Sequence, residues 1–353
     1  MTHLRTALRA AAAALTLAAC GSAGSAGPAP TTPSTSTAAA AKPSAGASRQ
    51  ALSLAWVSAT SSQSPAWMAY EGGYFRENGL DVKLEYIQAS PTAAAAMVKG
   101  DVQFVQMAGP AVVAADQGGA NQVMVMGFVN EPLFVLMTTA DVTKPEDLKG
   151  KTVAVTKIGS SDEFLLRETL AHWGLKLNTD VKVTAVSTIQ GRVAALSQRQ
   201  AQGVMVGTTD ELAVRQAGGH VLARTADLGI QYQAAGLATT RDFVQAHPDV
   251  VTAVAKSFVQ GVHRYKTDKA FAQQIMGKYI KIDDPAALDL NYNAYVDVFP
   301  RVPAPSLEGM REVAKELESE GQAPGSVDVS TMVDASFVKR LDDSGFISQV
   351  YGV

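Results

Sequence analysis

The stretch that decides the fold runs from residue 52 to residue 87 and reads LSLAWVSATSSQSPAWMAYEGGYFRENGLDVKLEYI. Its apolar run at 52–57 predicts a strand, and the run at 82–87 predicts another. Between them, Ser64 and Pro65 favour a helix start, with serine as N-cap and proline at the first helical position. The stretch therefore predicts a strand, a helix and a second strand, an order typical of α/β proteins.

The same order recurs twice more along the chain. Ser90 and Pro91 predict the start of the next helix, the run at 102–107 predicts a third strand, and Gly109-Pro110 predicts a third helix start. Strands that alternate with helices in this way are expected to be parallel and joined by right-handed crossovers.

A second unit follows a polar stretch at 139–150. Two further apolar runs, 123–129 and 133–138, precede it. After it we expect alternating strands and helices: strands at 152–156, 181–186, 203–206 and 221–224, and helices at 162–173, 190–198 and 209–217. Beyond an apolar run at 231–239 the pattern becomes helical, with helices expected at 242–247, 248–266, 268–280, 285–296, 306–319 and 335–342.

Composition narrows the class of protein. The chain has 353 residues, enough for about two domains, and is 47% hydrophobic and 18% charged. A formal net charge of −3 argues against nucleic acid as a partner. A single cysteine excludes a disulfide framework and multi-cysteine zinc sites. The interior contains no apolar run long enough to span a membrane.

The first 50 residues differ from the rest, because they contain no Asp or Glu. Arg5 and Arg9 precede a short apolar run, so we expect a signal peptide over 1–19. The sequence LAACG around Cys20, the only cysteine, resembles the lipobox of bacterial lipoproteins. That resemblance implies lipidation of Cys20. Residues 20–50 are mostly Ala, Ser, Thr, Pro and Gly, which predicts a disordered tether.

Four segments together resemble one protein family: 65–82, GDVQF at 100–104, EDLKGKTVAV at 146–155 and HPDVV at 247–251. They are similar, in the same order, to the solute-binding proteins of ABC importers, in the nitrate, aliphatic-sulfonate, taurine and thiamine-pyrimidine branch. The family often has an acid where Gln103 stands, and the pyrimidine members carry a cysteine-rich motif that this chain lacks.

The resemblance implies an α/β protein with the two-lobe periplasmic-binding-protein fold of type II. Lobe 1 is expected at 51–137 and 234–353, with the helical C-terminal tail packed on it, and lobe 2 at 138–233. Ligand binding would close the lobes, and the closed form would dock on a membrane permease.

The family also implies a function: an extracytoplasmic receptor, at the cell surface or in the periplasm, anchored by lipid. Its expected partners are a small sulfonate-, taurine- or nitrate-like solute and the ABC permease. We expect a monomer without a cofactor. Two alternatives stay open: a lipoprotein that presents solute to a signalling partner, and a member that binds a pyrimidine or another heterocycle.

Candidate ligand residues follow the strands, because open α/β sheets bind ligands beyond the carboxyl ends of their strands. The hydroxyl-rich loop at 58–64 ends at a helix start, where free N–H groups attract anions. Two tryptophans offer rings for stacking, although both fit a core equally well. The lobe 1 candidates are Trp56, Ser61, Ser62, Gln63, Ser64, Trp67, Gln88, Gln106, Met107, Ala108 and Asn130.

In lobe 2 the best anion site is expected at Gly159, Ser160 and Ser161, where a helix begins. The alternative is a capping box between Ser160 and Glu163. Arg192 is a candidate clamp for a sulfonate or carboxylate, and otherwise a solvated surface arginine. The remaining candidates in this lobe are Gln190, Thr208 and Thr209.

An enzyme is the competing class. The five histidines show no metal-ligand spacing, and no Gly-x-Ser-x-Gly motif occurs. Gly150-Lys151-Thr152 resembles the end of a P-loop, but Pro145 occupies the first glycine position. We therefore expect no catalytic residues and no metal site.

Overall fold

The computed structural model describes residues 49–158, 160–323 and 327–353. The expected signal peptide, Cys20, Gly159 and nearly all of the expected tether lie outside these residues. The exception is the end of the tether: Gln50 already belongs to the first strand. In the described part of the chain, no helix is long and apolar enough to cross a membrane.

Ten strands within the described residues form two five-stranded sheets. In chain order they are β1 Gln50–Trp56, β2 Leu80–Tyr86, β3 Phe104–Met107, β4 Gln122–Val129, β5 Phe134–Thr138, β6 Thr152–Val155, β7 Lys182–Ala185, β8 Gly203–Gly207, β9 His220–Arg224 and β10 Ala235–Thr240. The first sheet has the order β2-β1-β3-β10-β4, and the second has the order β7-β6-β8-β5-β9.

Helices cover both sheets. They are α1 Ser64–Glu71, α2 Tyr74–Glu77, α3 Ser90–Lys99, α4 Gly109–Gln117, α5 Ser161–His172, α6 Ile189–Ser197, α7 Glu211–Gln216, α8 Arg241–Ala246, α9 Pro248–Thr267, α10 Lys269–Ile280, α11 Pro285–Asn293, α12 Leu307–Ser319, α13 Ser336–Asp343 and α14 Phe346–Tyr351. The short helices α2 and α14 are absent from the sequence-based prediction.

The predicted α/β class and the parallel arrangement of the first strands are confirmed, since β1 pairs in parallel with both β2 and β3. The predicted N-cap at Ser64 is wrong by one residue. A short 3-10 turn over Ser61–Gln63 leads into α1, so Gln63 is the N-cap and Ser64 lies in the first turn.

Strand β5 lies in a different place from the one predicted. Ending lobe 1 at residue 137 would put β5 in the first sheet, but it pairs antiparallel with β8 and β9 of the second. The chain therefore crosses between the sheets at 130–133, where Pro132 cannot donate a backbone hydrogen bond. We call the first sheet and the helices packed on it lobe 1, and the second sheet with α5, α6 and α7 lobe 2.

Strand β10 brings the chain back to the first sheet. It runs antiparallel to both β3 and β4 and lies between them. The return segment is fixed to lobe 1 by the buried Gln233, whose side chain donates to the carbonyl of Ala235 (3.0 Å) and accepts from the amide of Ser306 (2.8 Å). Both connections between the lobes therefore lie beside the carboxyl end of β4.

The C-terminal helices complete the core of lobe 1, as predicted. Val254, Phe258 and Tyr265 of α9 are fully buried and share one apolar cluster with β1 and β4. Helices α1 and α9 approach closely at Gly261, where a β-carbon would lie 2.8 Å from the amide nitrogen of Ala69. The C-terminal helices thus support α1, the helix that follows the loop after β1.

Candidate functional site

A cavity of about 240 Å³ lies between the two sheets, at the point where the chain crosses from one to the other. It is lined by Ser62, Val129, Pro132, Leu133, Phe134, Gly207, Thr208, Thr209, Tyr232, Ala234, Ala235 and Tyr295. A larger depression of about 600 Å³ lies along the outer edge of β1 and β2, away from their carboxyl ends. The smaller cavity is the better candidate, because ligands of α/β folds bind at strand carboxyl ends.

The loop after β1 presents a chain of hydroxyl groups on the lobe 1 side. The hydroxyls of Ser58 and Thr60 lie 2.9 Å apart, and those of Thr60 and Ser62 also 2.9 Å apart. Ser62 lines the cavity at the end of this chain. The loop therefore offers neutral donors and acceptors, as predicted from its composition.

Two of the predicted ligand residues hold this loop in place. Gln63 is buried, and its side-chain oxygen accepts a hydrogen bond from the amide of Val57 (3.1 Å). Gln106 is also buried; it accepts from the amide of Ala66 (3.0 Å) and donates to the carbonyl of Ser62 (2.7 Å). Both amides are used inside the protein, so they position Ser62.

The two predicted tryptophans lie in the core of lobe 1. Trp67 is 0% exposed and Trp56 is 8% exposed, with their rings edge to face at 5.2 Å. Tyr86 covers Trp56 at 4.2 Å between ring centres and is itself 50% exposed. Of these three rings, the one accessible to solvent is therefore Tyr86. The parallel pairing of β1 with β2 places it beside Trp56, at the carboxyl ends of the two strands.

The other lobe 1 candidates are not among the residues that line the cavity. Ser61, Ser64 and Met107 are buried, Ala108 is half-buried at the N-cap of α4, and Gln88 is exposed. The side chain of Asn130 donates to the carbonyl of Ala304 (2.8 Å), so it supports the first crossing segment. Their role in binding stays a prediction.

Lobe 2 presents a buried polar network at the carboxyl ends of β6 and β7. Arg192 is 7% exposed, and its Nη1 donates to the Thr156 hydroxyl (2.9 Å) and to the carbonyl of Val186 (3.0 Å). The Asp162 carboxylate accepts from the amide (2.6 Å) and hydroxyl (2.8 Å) of Thr156. Arg192 is therefore not a solvated surface side chain, and its Nε is buried without a partner among the described residues.

The capping-box alternative for α5 is not observed. Ser160 is the N-cap of this helix but makes no side-chain cap hydrogen bond. Its hydroxyl instead donates to Asp162, while Glu163 pairs with Arg167 at 2.7 Å. Ser160 and Ser161 are both half-buried at the helix start.

The loop after β8 carries the remaining candidates. Thr208 and Thr209 line the cavity, whereas Gln190 is exposed on α6. Asp210 follows them, and burial raises the pKa of its carboxyl while the nearby Arg192 opposes that rise. Burial and the Asp227 charge likewise raise the pKa of Glu131, beside the cavity residue Pro132. Two carboxyl groups thus follow or precede residues that line the cavity, and the charge of Arg192 acts on one of them.

A family model described as NMT1/THI5-like matches residues 61–268, more than half of the chain. The chain belongs to the NMT1/THI5-like family. This result confirms the resemblance derived from the four sequence segments.

One curated relative of this NMT1/THI5-like chain is a binding protein. It is 30% identical over 210 residues to a taurine-binding periplasmic protein of Escherichia coli strain K12, a match that covers 58% of this chain and 64% of that protein. The chain thus spans less than two thirds of that relative.

Solved structures confirm the periplasmic-binding-protein fold. The aliphatic sulphonate binding protein SsuA of Escherichia coli has a TM-score of 0.65 at 20% identity, covering 81% of this chain and 92% of that one. A sulfonate-binding protein of a putative ABC transporter from Methylobacillus flagellatus KT has a TM-score of 0.67 at 18% identity, covering 84% and 95%.

Acidic side chains meet where α5 of lobe 2 faces α12 of lobe 1. The buried Tyr232 donates a hydrogen bond to the Glu316 carboxylate; burial and this carboxylate hold the pKa of Tyr232 well above its usual value. Burial and the Glu312 charge raise the pKa of Glu168, although Lys315 and Arg167 oppose the rise. The contact between the lobes therefore brings like charges together.

Neutralising Glu168 should stabilise the fold at neutral pH. Because the pKa of Glu168 is raised in the folded protein, the folded state favours the protonated carboxyl. The stability that this form contributes is fully present below the ordinary pKa of 4.5 and is lost as pH rises and the carboxyl ionises. Glu168→Gln should therefore raise the free energy of unfolding at pH 7 by less than about 1 kcal/mol, given its exposure.

Urea unfolding at several pH values checks this prediction. The difference between variant and wild type should disappear below pH 4.5, the ordinary value for this carboxyl. Glu146→Gln, at an exposed glutamate, is the matched control and should leave the free energy of unfolding unchanged across the same pH range. A difference for Glu168→Gln that persists in acid would show that packing, not charge, is responsible.

Proposed function

We propose that this protein is an extracytoplasmic receptor of an ABC importer that binds a small organic sulfonate in the cavity between its lobes. The cavity carries the proposal: it lies at the crossing of a periplasmic-binding-protein fold and has hydroxyl groups on both sides. The proposal includes a monomer without catalytic activity, delivery of the solute to a membrane permease, and lipidation of Cys20.

The walls of the cavity favour an organic anion over an inorganic one. Val129, Leu133 and Phe134 give the cavity an apolar side. This side would contact the carbon chain of an organic sulfonate, whereas nitrate has no apolar part to bury there. Ser62 and Thr208 supply hydroxyl donors for sulfonate oxygens. In the closed complex, the backbone N–H groups at the start of α5 would add further donors from lobe 2.

Nearby charged side chains indicate which charged groups the solute carries. The Arg192 guanidinium favours a negative group, whereas the Asp210 and Glu131 carboxyls would suit an ammonium. An aminosulfonate such as taurine carries both charges. Taurine is therefore the first compound to test, followed by alkanesulfonates that lack the amine.

A thermal-shift screen of residues 47–353, which form one compact unit, tests the proposal. The panel contains taurine, alkanesulfonates, nitrate, carboxylates and pyrimidines. A true ligand at 100 times its dissociation constant should stabilise the protein by about 2.7 kcal/mol. A shift with pyrimidines alone would contradict the sulfonate class, and turnover of any bound compound would contradict a pure receptor.

A further inference from the structure

One wall of the cavity comes from a part of the chain outside the family match. The match ends at residue 268, whereas Tyr295, which lines the cavity, follows α11 in the C-terminal region. The pattern of the sequence predicted a helix over 285–296 but assigned no ligand residue to it. The fold brings this segment back against the loop after β1.

Tyr295 is held in one position by its neighbours. Its side chain is 9% exposed, and it lines the cavity together with Ser62. Its ring lies 5.4 Å from that of Phe299, which packs edge to face on the fully buried Tyr265 at 5.0 Å. The ring is therefore a fixed part of the wall.

A hydrogen bond ties the same segment to the loop after β1. Asn291, four residues before Tyr295, accepts a hydrogen bond from the Ser61 hydroxyl (2.9 Å) and donates one to the carbonyl of Ala287 (2.9 Å). Asn291 lies near the end of α11 and Tyr295 in the turn that follows, so the segment contacts the loop at Ser61 and borders the same cavity as Ser62. Loop and segment thus form one unit on the lobe 1 side.

We propose that Tyr295 sets the upper size limit of the solute and so determines which sulfonates this protein accepts. The inference rests on the proposed function and adds the residue that selects within the substrate class. The ring occupies space in a cavity of only about 240 Å³, and replacing it by a methyl group leaves that space to the ligand. The volume of the ring is what excludes long chains.

Titration calorimetry with ethane-, butane- and octanesulfonate tests this inference. The wild type should prefer the short compounds. Tyr295→Ala should shift the ratio of the dissociation constants for octane- and ethanesulfonate at least tenfold towards the longer compound. Tyr295→Phe keeps the ring and should change this ratio less than twofold. The matched control is Tyr70→Ala, an exposed tyrosine that does not line the cavity, and it should also leave the ratio unchanged.

Tyr295→Leu keeps the test decisive if the alanine variant does not fold, since leucine fills part of the site and should shift the ratio in the same direction. Variants that fold and keep the wild-type ratio would overturn the role of Tyr295. A wild type that binds none of the three sulfonates would instead overturn the proposed function, so the two failures are distinguishable.

Discussion

Replacing Trp67 by alanine should lower the free energy of unfolding by about 3–5 kcal/mol. The ring is fully buried, stacks on Tyr279 at 4.9 Å and meets Trp56 edge to face. Removing it leaves a void within the core of lobe 1, because α1 and α9 are locked together at Gly261 and cannot collapse into the space.

Urea unfolding followed by circular dichroism measures this loss. Trp173→Ala is the matched control, because Trp173 is only half-buried at the end of α5 and its removal should cost clearly less. A loss below about 1 kcal/mol at Trp67, well under the range for buried aromatic residues, combined with weaker solute binding, would favour the stacking role predicted from the sequence.

Replacing Arg192 by methionine should weaken sulfonate binding at least tenfold and also destabilise lobe 2. Methionine keeps the apolar stem but removes the charge and the bonds from Nη1 to Thr156 and Val186. A hydrogen bond from a charged donor contributes about 1.5–3 kcal/mol, so we expect a loss of stability of that size.

Two further variants separate the structural from the electrostatic role of Arg192. Arg192→Lys keeps the charge but not the forked geometry, so it should retain part of the affinity. Arg199→Met removes an exposed arginine of the same lobe and should change neither property. If Arg192→Met loses stability but binds sulfonate with the wild-type dissociation constant, the guanidinium only ties the strands together.

The order of strands and helices could be predicted because local signals repeat along the chain. Proline near each early helix start marks α1, α3 and α4, and the apolar runs mark the strands between them. The sheet that receives β5 could not be predicted this way, since β4 and β5 are two apolar runs separated by four residues. Which sheet an apolar strand joins depends on partners far along the chain.

The candidate site was predictable at the level of loops but not of side chains. Ser62, Thr208 and Thr209 follow strands, and the rule for carboxyl ends places them at the cavity. Gln63, Gln106 and Arg192 also follow that rule, but their hydrogen bonds point into the protein, which no local pattern reveals. Tyr295 comes from a distant helical region, so sequence position gives no signal that it lines the cavity.

The position of β10 has a consequence for the order in which the chain acquires structure. All strands of the second sheet lie within residues 134–224, whereas the first sheet stays incomplete until β10 inserts between β3 and β4. A chain emerging from its N-terminus can therefore assemble lobe 2 while lobe 1 still lacks a central strand. Closing the long loop from β3 to β10 adds an entropic cost that lobe 2 does not bear. In a chain ending at residue 230, amide hydrogen exchange should be slow in the strands of lobe 2 and fast in β3 and β4. Lobe 2, although it is synthesised after most of the first sheet, would then be the first lobe to be protected from exchange.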